Sequence, residues 1–144
     1  MMGYEVAGII ATAVAFAVPG HANAADLSRQ RPIELVIQHG DENDNHKFEP
    51  NALSLETGKL YKLVLVNASP SKHYFSAPLF SVAIWTRKVQ MGGTEVKGAV
   101  REIQIGAGEQ AEWWFVPIAT GTFDLLCTVE GHAENGMIGS ITIE

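Results

Sequence analysis

The stretch CTVEGHAENGM, residues 127–137, decides how the rest of the chain is read. It places a thiol (Cys127), an imidazole (His132) and a thioether (Met137) on one short loop, separated by the small residues Gly131, Ala133 and Gly136. The flanks are strand-like. Phe123, Leu125 and Cys127 share one face by the period of two, as do Ile141 and Ile143 beyond the loop. The same period predicts that Cys127 points into the core. Thiolate, imidazole and thioether are three of the four donors of a mononuclear electron-transfer copper site, in which two His and one Cys form a trigonal set and a Met binds weakly along the axis.

A second imidazole has to come from elsewhere, and His73 in VNASPSKHYF, residues 66–75, is the best candidate. An apolar strand pattern stops there at Asn67, and a Ser/Pro turn carries the chain into the histidine. With this member added, the sequence resembles the cupredoxins, the blue-copper β-sandwich proteins, over roughly residues 33–144. The order is that of the family: a lone His, then Cys-x4-His-x4-Met many residues later. The resemblance implies one type 1 copper ion held by His73, Cys127, His132 and Met137. It also implies that electrons pass at the edge of the C-terminal ligand His132, with Gly131 and Ala133 letting a partner come close. Thr128 matches the small hydroxyl residue that ties the two ligand loops together in this family. Many members carry Asn immediately after the first His. Here Tyr74 stands at that place, and the nearest Asn is Asn67, six residues before His73.

Strand signals recur along the chain. Ile33 to Gln38 alternates, Leu60 to Val66 is an apolar run after a turn at Gly58, and His73 to Ser76 reads as a further strand. Ile103, Ile105, Ala111, Trp113 and Phe115 continue the pattern, with Trp113 read as core and Trp114 as surface. Residues 79–98 fit alternation poorly. Phe80, Ala83 and Arg87 suit a short helix there, ended by Gly92-Gly93. Seven or eight short strands with turns between them predict an all-β Greek-key sandwich with a short helical insertion.

The chain has 144 residues and 10 basic against 16 acidic side chains. Residues 6–18, VAGIIATAVAFAV, form an apolar run too short to span a bilayer, and Ala22-Asn23-Ala24 follows as an A-x-A cleavage site. Residues 1–24 therefore read as a signal peptide for export to the periplasm, although MMGYE lacks the usual positive charge. Residues 25–32 read as a flexible arm and residues 33–144 as one domain, expected to be monomeric and off the membrane after cleavage. Without the leader the net charge is −5. Nucleic-acid binding, which needs a basic stripe, is excluded. The single cysteine cannot form an internal disulfide, and metal ligation gives an exported lone thiol its reason.

Two functions follow from the resemblance: one-electron transfer between periplasmic redox proteins, or copper handling in support of copper tolerance alongside a copper-handling partner. An enzymatic role is not expected, because copper oxidases and nitrite reductases need further copper centres and usually a second domain. The polar loop HGDENDNH, residues 39–46, admits two readings. His39 and His46 with Asp41, Glu42 and Asp44 could take a second Cu(II), or the segment is a solvated acidic loop, which is the favoured expectation.

Overall fold

The computed structural model describes residues 26–144, so the expected leader at residues 1–24 lies outside the described residues. Twelve elements follow in order: β1 (Ile33–His39), β2 (Phe48–Glu49), β3 (Ala52–Leu55), β4 (Tyr61–Asn67), β5 (His73–Ser76), α1 (Pro78–Val82), β6 (Ile84–Met91), β7 (Thr94–Val96), β8 (Glu102–Ile105), β9 (Gln110–Pro117), β10 (Gly121–Leu126) and β11 (Ile138–Ile143). They form a sandwich of two sheets, ordered β2-β1-β4-β9-β6-β7 and β3-β11-β10-β5-β8. The pairs β1/β4 and β3/β11 are parallel, and the other pairs are antiparallel. Eleven strands exceed the seven or eight read from the sequence. The surplus comes from β2, β3 and β7, which have two to four residues each and are too short to display a period.

Between the sheets, Phe75, Phe80, Trp113 and Phe115 pack edge to face, with ring centroids 5.4–5.9 Å apart. This is the favoured geometry for aromatic quadrupoles. The buried Trp113 would strand its indole N–H without a partner, and Thr86 Oγ1 accepts it at 3.1 Å. Trp114, on the opposite face of the same strand, lies under the ammonium groups of Lys62 and Lys88 at 5.4 and 4.4 Å from its ring centroid.

The helical insertion is shorter than the sequence suggested. It stops at Val82, and residues 84–91 are a strand that turns at Gly92-Gly93 into β7. Alternation is hidden in β6 by an irregularity in its pairing with β9 between Thr86 and Lys88, which inserts Arg87 as an extra residue. Ile84 and Val89 are both buried although they stand five positions apart, an odd step that would place them on opposite faces of a regular strand, as a bulge that shifts the phase by one requires. Arg87 then reaches out and donates to Ser28 O at 2.9 Å. Gln30 Nε2 also donates to Gly58 O, at 2.8 Å. The segment expected as an arm is thus tied to the body, with a single 3-10 turn at Leu27–Arg29.

Candidate metal centre

The ligand loop grows directly out of this sandwich. On β10 the side chains alternate as the sequence predicts, so Leu125 and Cys127 are both buried. After Cys127 the backbone closes on itself. Cys127 N donates to Met137 O at 3.1 Å and Met137 N to His132 O at 2.9 Å. Inner turns run from His132 N to Val129 O and from Asn135 N to Gly131 O. Gly131 and Gly136 take φ of +80° and +103°, values that β-carbons resist, which is why small residues separate the donors. His132 and Met137 are buried with Cys127.

His73 opens β5, paired opposite Ile105 of β8. The turn before it is organised by Asn67, whose Nδ2 donates to Ser71 O, Ile105 O and Gly106 O at 2.7, 3.0 and 3.0 Å and whose Oδ1 accepts from Ser69 N at 2.9 Å. Asn67, six residues before His73, is therefore the amide that shapes the loop. At the position after His73, Tyr74 contributes only its backbone, with its N–H donating to Cys127 Sγ at 3.3 Å. Thr128 does not join the two ligand loops. Its hydroxyl donates to Glu102 Oε2 at 2.8 Å on β8 instead, because β8 is the strand that flanks β5 at that point.

Three donor atoms converge. His73 Nδ1 and His132 Nδ1 are 3.2 Å apart, and Cys127 Sγ lies 3.9 and 3.6 Å from them. Among the described residues these three form the single group of three or more such donors within 4.8 Å of one another. A first-row metal bonded at about 2.0 Å to nitrogen and 2.3 Å to sulfur, in a trigonal plane, needs separations of about 3.5 Å between nitrogens and about 3.8 Å from nitrogen to sulfur. The triangle matches within a few tenths of an ångström. With Met137 buried at the closure of the same loop, the cluster fits a type 1 copper site.

The hydrogen bonds also fix which imidazole nitrogen is free. Ser69 Oγ uses its proton on Ser71 O at 2.9 Å, so at 2.7 Å from His73 Nε2 it acts as the acceptor. His73 then carries its proton on Nε2, and the Nδ1 lone pair faces the cysteine, the arrangement a metal ligand requires. Burial, reinforced by His132 and His46 at His73 and by His46 at His132, holds both His73 and His132 below the ordinary histidine pKa. Both rings are accordingly neutral and able to donate at neutral pH.

The two histidines of HGDENDNH do not meet. His39 ends β1 with its ring fully buried, edge-on to Phe48 at 5.1 Å, and neither nitrogen has a hydrogen-bond partner among the described residues. Burial pushes its pKa down to about 4. His46 instead stacks on His132, with ring centroids 3.8 Å apart and planes 21° from parallel. The loop is not freely solvated either. Asp41 Oδ1 accepts from Asn43 N and Asn45 N at 3.0 and 3.2 Å, and Asp44 Oδ2 accepts from Ser71 Oγ at 2.8 Å. Sequence reasoning had no signal for Gly40, Ser69 or His46 beside the donors. The nearest clue was the distance of Asn67 from His73.

The comparisons agree with this geometry. A sulfocyanin (SoxE) domain model matches residues 87–144, the part that holds Cys127, His132 and Met137. Auracyanin A from Chloroflexus aurantiacus, described as a "blue" copper protein, superposes with a TM-score of 0.54 at 18% identity over 79% of this chain and 100% of its own. The chain has the cupredoxin fold. A copper nitrite reductase from Nitrosomonas europaea shares the fold with this chain, at a TM-score of 0.56 and 18% identity over 88% of the chain. The match covers only 52% of the reductase. In sequence, the chain is 28% identical over 129 residues to the copper-resistant cuproprotein CopI of Rubrivivax gelatinosus, covering 87% of this chain and 71% of that protein. Among its described residues, no helix is long and apolar enough to cross a membrane.

Proposed function

We propose that this protein, with its cupredoxin fold, binds one copper ion through His73, Cys127, His132 and Met137 and serves as an exported one-electron carrier, exchanging electrons with a periplasmic redox protein. The observation that carries the reading is the buried triangle of Nδ1, Nδ1 and Sγ with sides of 3.2, 3.6 and 3.9 Å. Soft sulfur suits Cu(I) while the two imidazoles still accept Cu(II), so copper bound there supplies a reversible one-electron couple. The chain's contribution is to hold the donors nearly fixed in either state: one closed loop carries three of them, and the Asn67 network positions the fourth. Nothing in this donor set calls for a substrate, and we read the protein as a monomeric carrier and not an enzyme.

The test is a visible spectrum with copper analysis of the purified protein. One copper per chain and an intense thiolate-to-copper band, absent in Cys127→Ser, are expected. A coloured Cys127→Ser protein would sink the assignment. His73→Ala should open a copper position to added imidazole. Met137→Gln should keep the colour and lower the reduction potential, because the thioether disfavours Cu(II) relative to an oxygen donor. An upward shift would remove Met137 from the set of residues that would hold the copper.

A second reading, copper handling in support of tolerance, is favoured by the similarity to CopI. It predicts that loss of the protein makes cells copper-sensitive and that more than one copper per chain survives dialysis. A single retained copper with unchanged copper tolerance supports the carrier.

A further inference from the structure

The loop between β1 and β2, residues 40–47, touches both histidines of the centre. Gly40 sits against His73 so closely that a β-carbon on it would lie 2.8 Å from His73 Nε2 and 2.8 Å from Ser69 Cβ. At the loop's other end the His46 ring lies face-on over His132, while its Nδ1 is 3.4 Å from Asn135 Nδ2 on the ligand loop itself. Between these ends, Asp44 accepts from Ser71, whose carbonyl in turn accepts the proton of the Ser69 hydroxyl that holds His73. Gly40 N donates to Lys47 O at 2.9 Å and Asp44 N to Asp41 O at 2.9 Å, so the loop is closed across its base and braced inside.

We propose that this loop is a third structural part of the metal centre, with His46 a positioning residue that holds the His132 ring in its ligand orientation by stacking on it. The inference rests on the copper reading above. Among the described residues the His132 ring has no hydrogen-bond partner besides the neighbouring donor atoms, His73 Nδ1 and Cys127 Sγ. A ring with one free face can swing out of a metal's reach by rotation about its side-chain bonds. A parallel neighbour at van der Waals distance blocks that rotation and keeps water off the face.

The experiment compares wild type, His46→Ala and His46→Phe. In the copper-loaded protein, transfer of copper to an excess of a strong Cu(I) chelator should be about three- to tenfold faster in His46→Ala, the size a single aromatic contact supports. His46→Phe, which keeps the stack but has no ring nitrogen, should stay within about twofold of wild type on the same ground. In the metal-free protein, the His132 ring protons should be displaced upfield by the neighbouring ring in wild type and His46→Phe, and return to ordinary positions in His46→Ala. Unchanged resonances in His46→Ala, or release from His46→Phe as fast as from His46→Ala, would overturn the proposal. A wild-type protein without a thiolate-to-copper band would instead overturn the copper reading, and the metal-free resonances would still decide whether His46 positions His132.

Discussion

The ligand loop at residues 127–137 and the β1–β2 loop at residues 40–47 reach the same donors, but different interactions hold them. The ligand loop is closed by its own backbone, from Cys127 N to Met137 O and from Met137 N to His132 O. It depends on glycines only for their φ, since nothing lies within 4 Å of a β-carbon built on Gly136. The β1–β2 loop leans on distant parts of the chain: Gly40 on His73, Asp44 on Ser71, His46 on His132. A locally closed loop tolerates added volume and is sensitive to backbone conformation. A loop wedged between other elements is sensitive to both.

That contrast can be broken most directly at the glycines. Gly40→Ala combines a φ of +64° with two contacts at 2.8 Å. It should cost about 4 kcal/mol in urea unfolding of the metal-free protein. Gly136→Ala, at φ +103° in open space, should cost about 1–2 kcal/mol. Equal losses would show that the wedge at Gly40 does not matter.

The next largest effect lies at His39. Its folded pKa is lowered to about 4, so between about pH 6.5 and 4 the unfolded chain binds a proton that the folded chain refuses. The stability held by neutral His39 is complete above about pH 6.5 and is lost as the pH falls toward 4, about 3 kcal/mol in total. His73 and His132 are lowered in the same direction. The comparison of wild type with His39→Leu by urea unfolding at neutral and acidic pH isolates the His39 part. A variant with the full wild-type slope would place the titration elsewhere.

Asn67→Ala should cost about 2 kcal/mol, because it leaves the Ser69 amide without its acceptor and removes the donor shared by the Ser71, Ile105 and Gly106 carbonyls. It should also disturb the His73 donor more than the ligand loop. Ser71→Ala removes the hydroxyl that ties the β1–β2 loop, through Asp44, to the turn before His73 and should cost about 1 kcal/mol. The smallest effect is expected at Thr128→Ala, which removes an exposed bond to Glu102 and should stay within about 0.5 kcal/mol. A larger loss there than on removal of the Ser71 anchor of the β1–β2 loop would reverse the ranking of the two loops.

Much of the fold was legible where one period ran uninterrupted. β10 displayed Leu125 and Cys127 on one face, β9 displayed Ala111, Trp113 and Phe115, and both patterns are buried as read. It was illegible where a tertiary irregularity intervened. The extra residue at Arg87 changes the phase of β6 in mid-strand, so a strand there imitates a helix by spacing alone.

The sequence by itself determined the donor loop. Cys127, His132 and Met137 lie within eleven residues, and chain connectivity with well-placed glycines brings such neighbours together at little entropic cost. It also nominated His73, through the Ser/Pro turn before it. Only the tertiary structure decided the fates of His39 and His46, which are seven residues apart in one polar motif. Parallel pairing of β1 with β4 sets His39 opposite Asn67 and leaves its ring in the core, edge-on to Phe48. The returning loop lays His46 on His132, 86 positions further along the chain. Contacts over such separations depend on which strands pair and in which register, and local spacing carries no record of either.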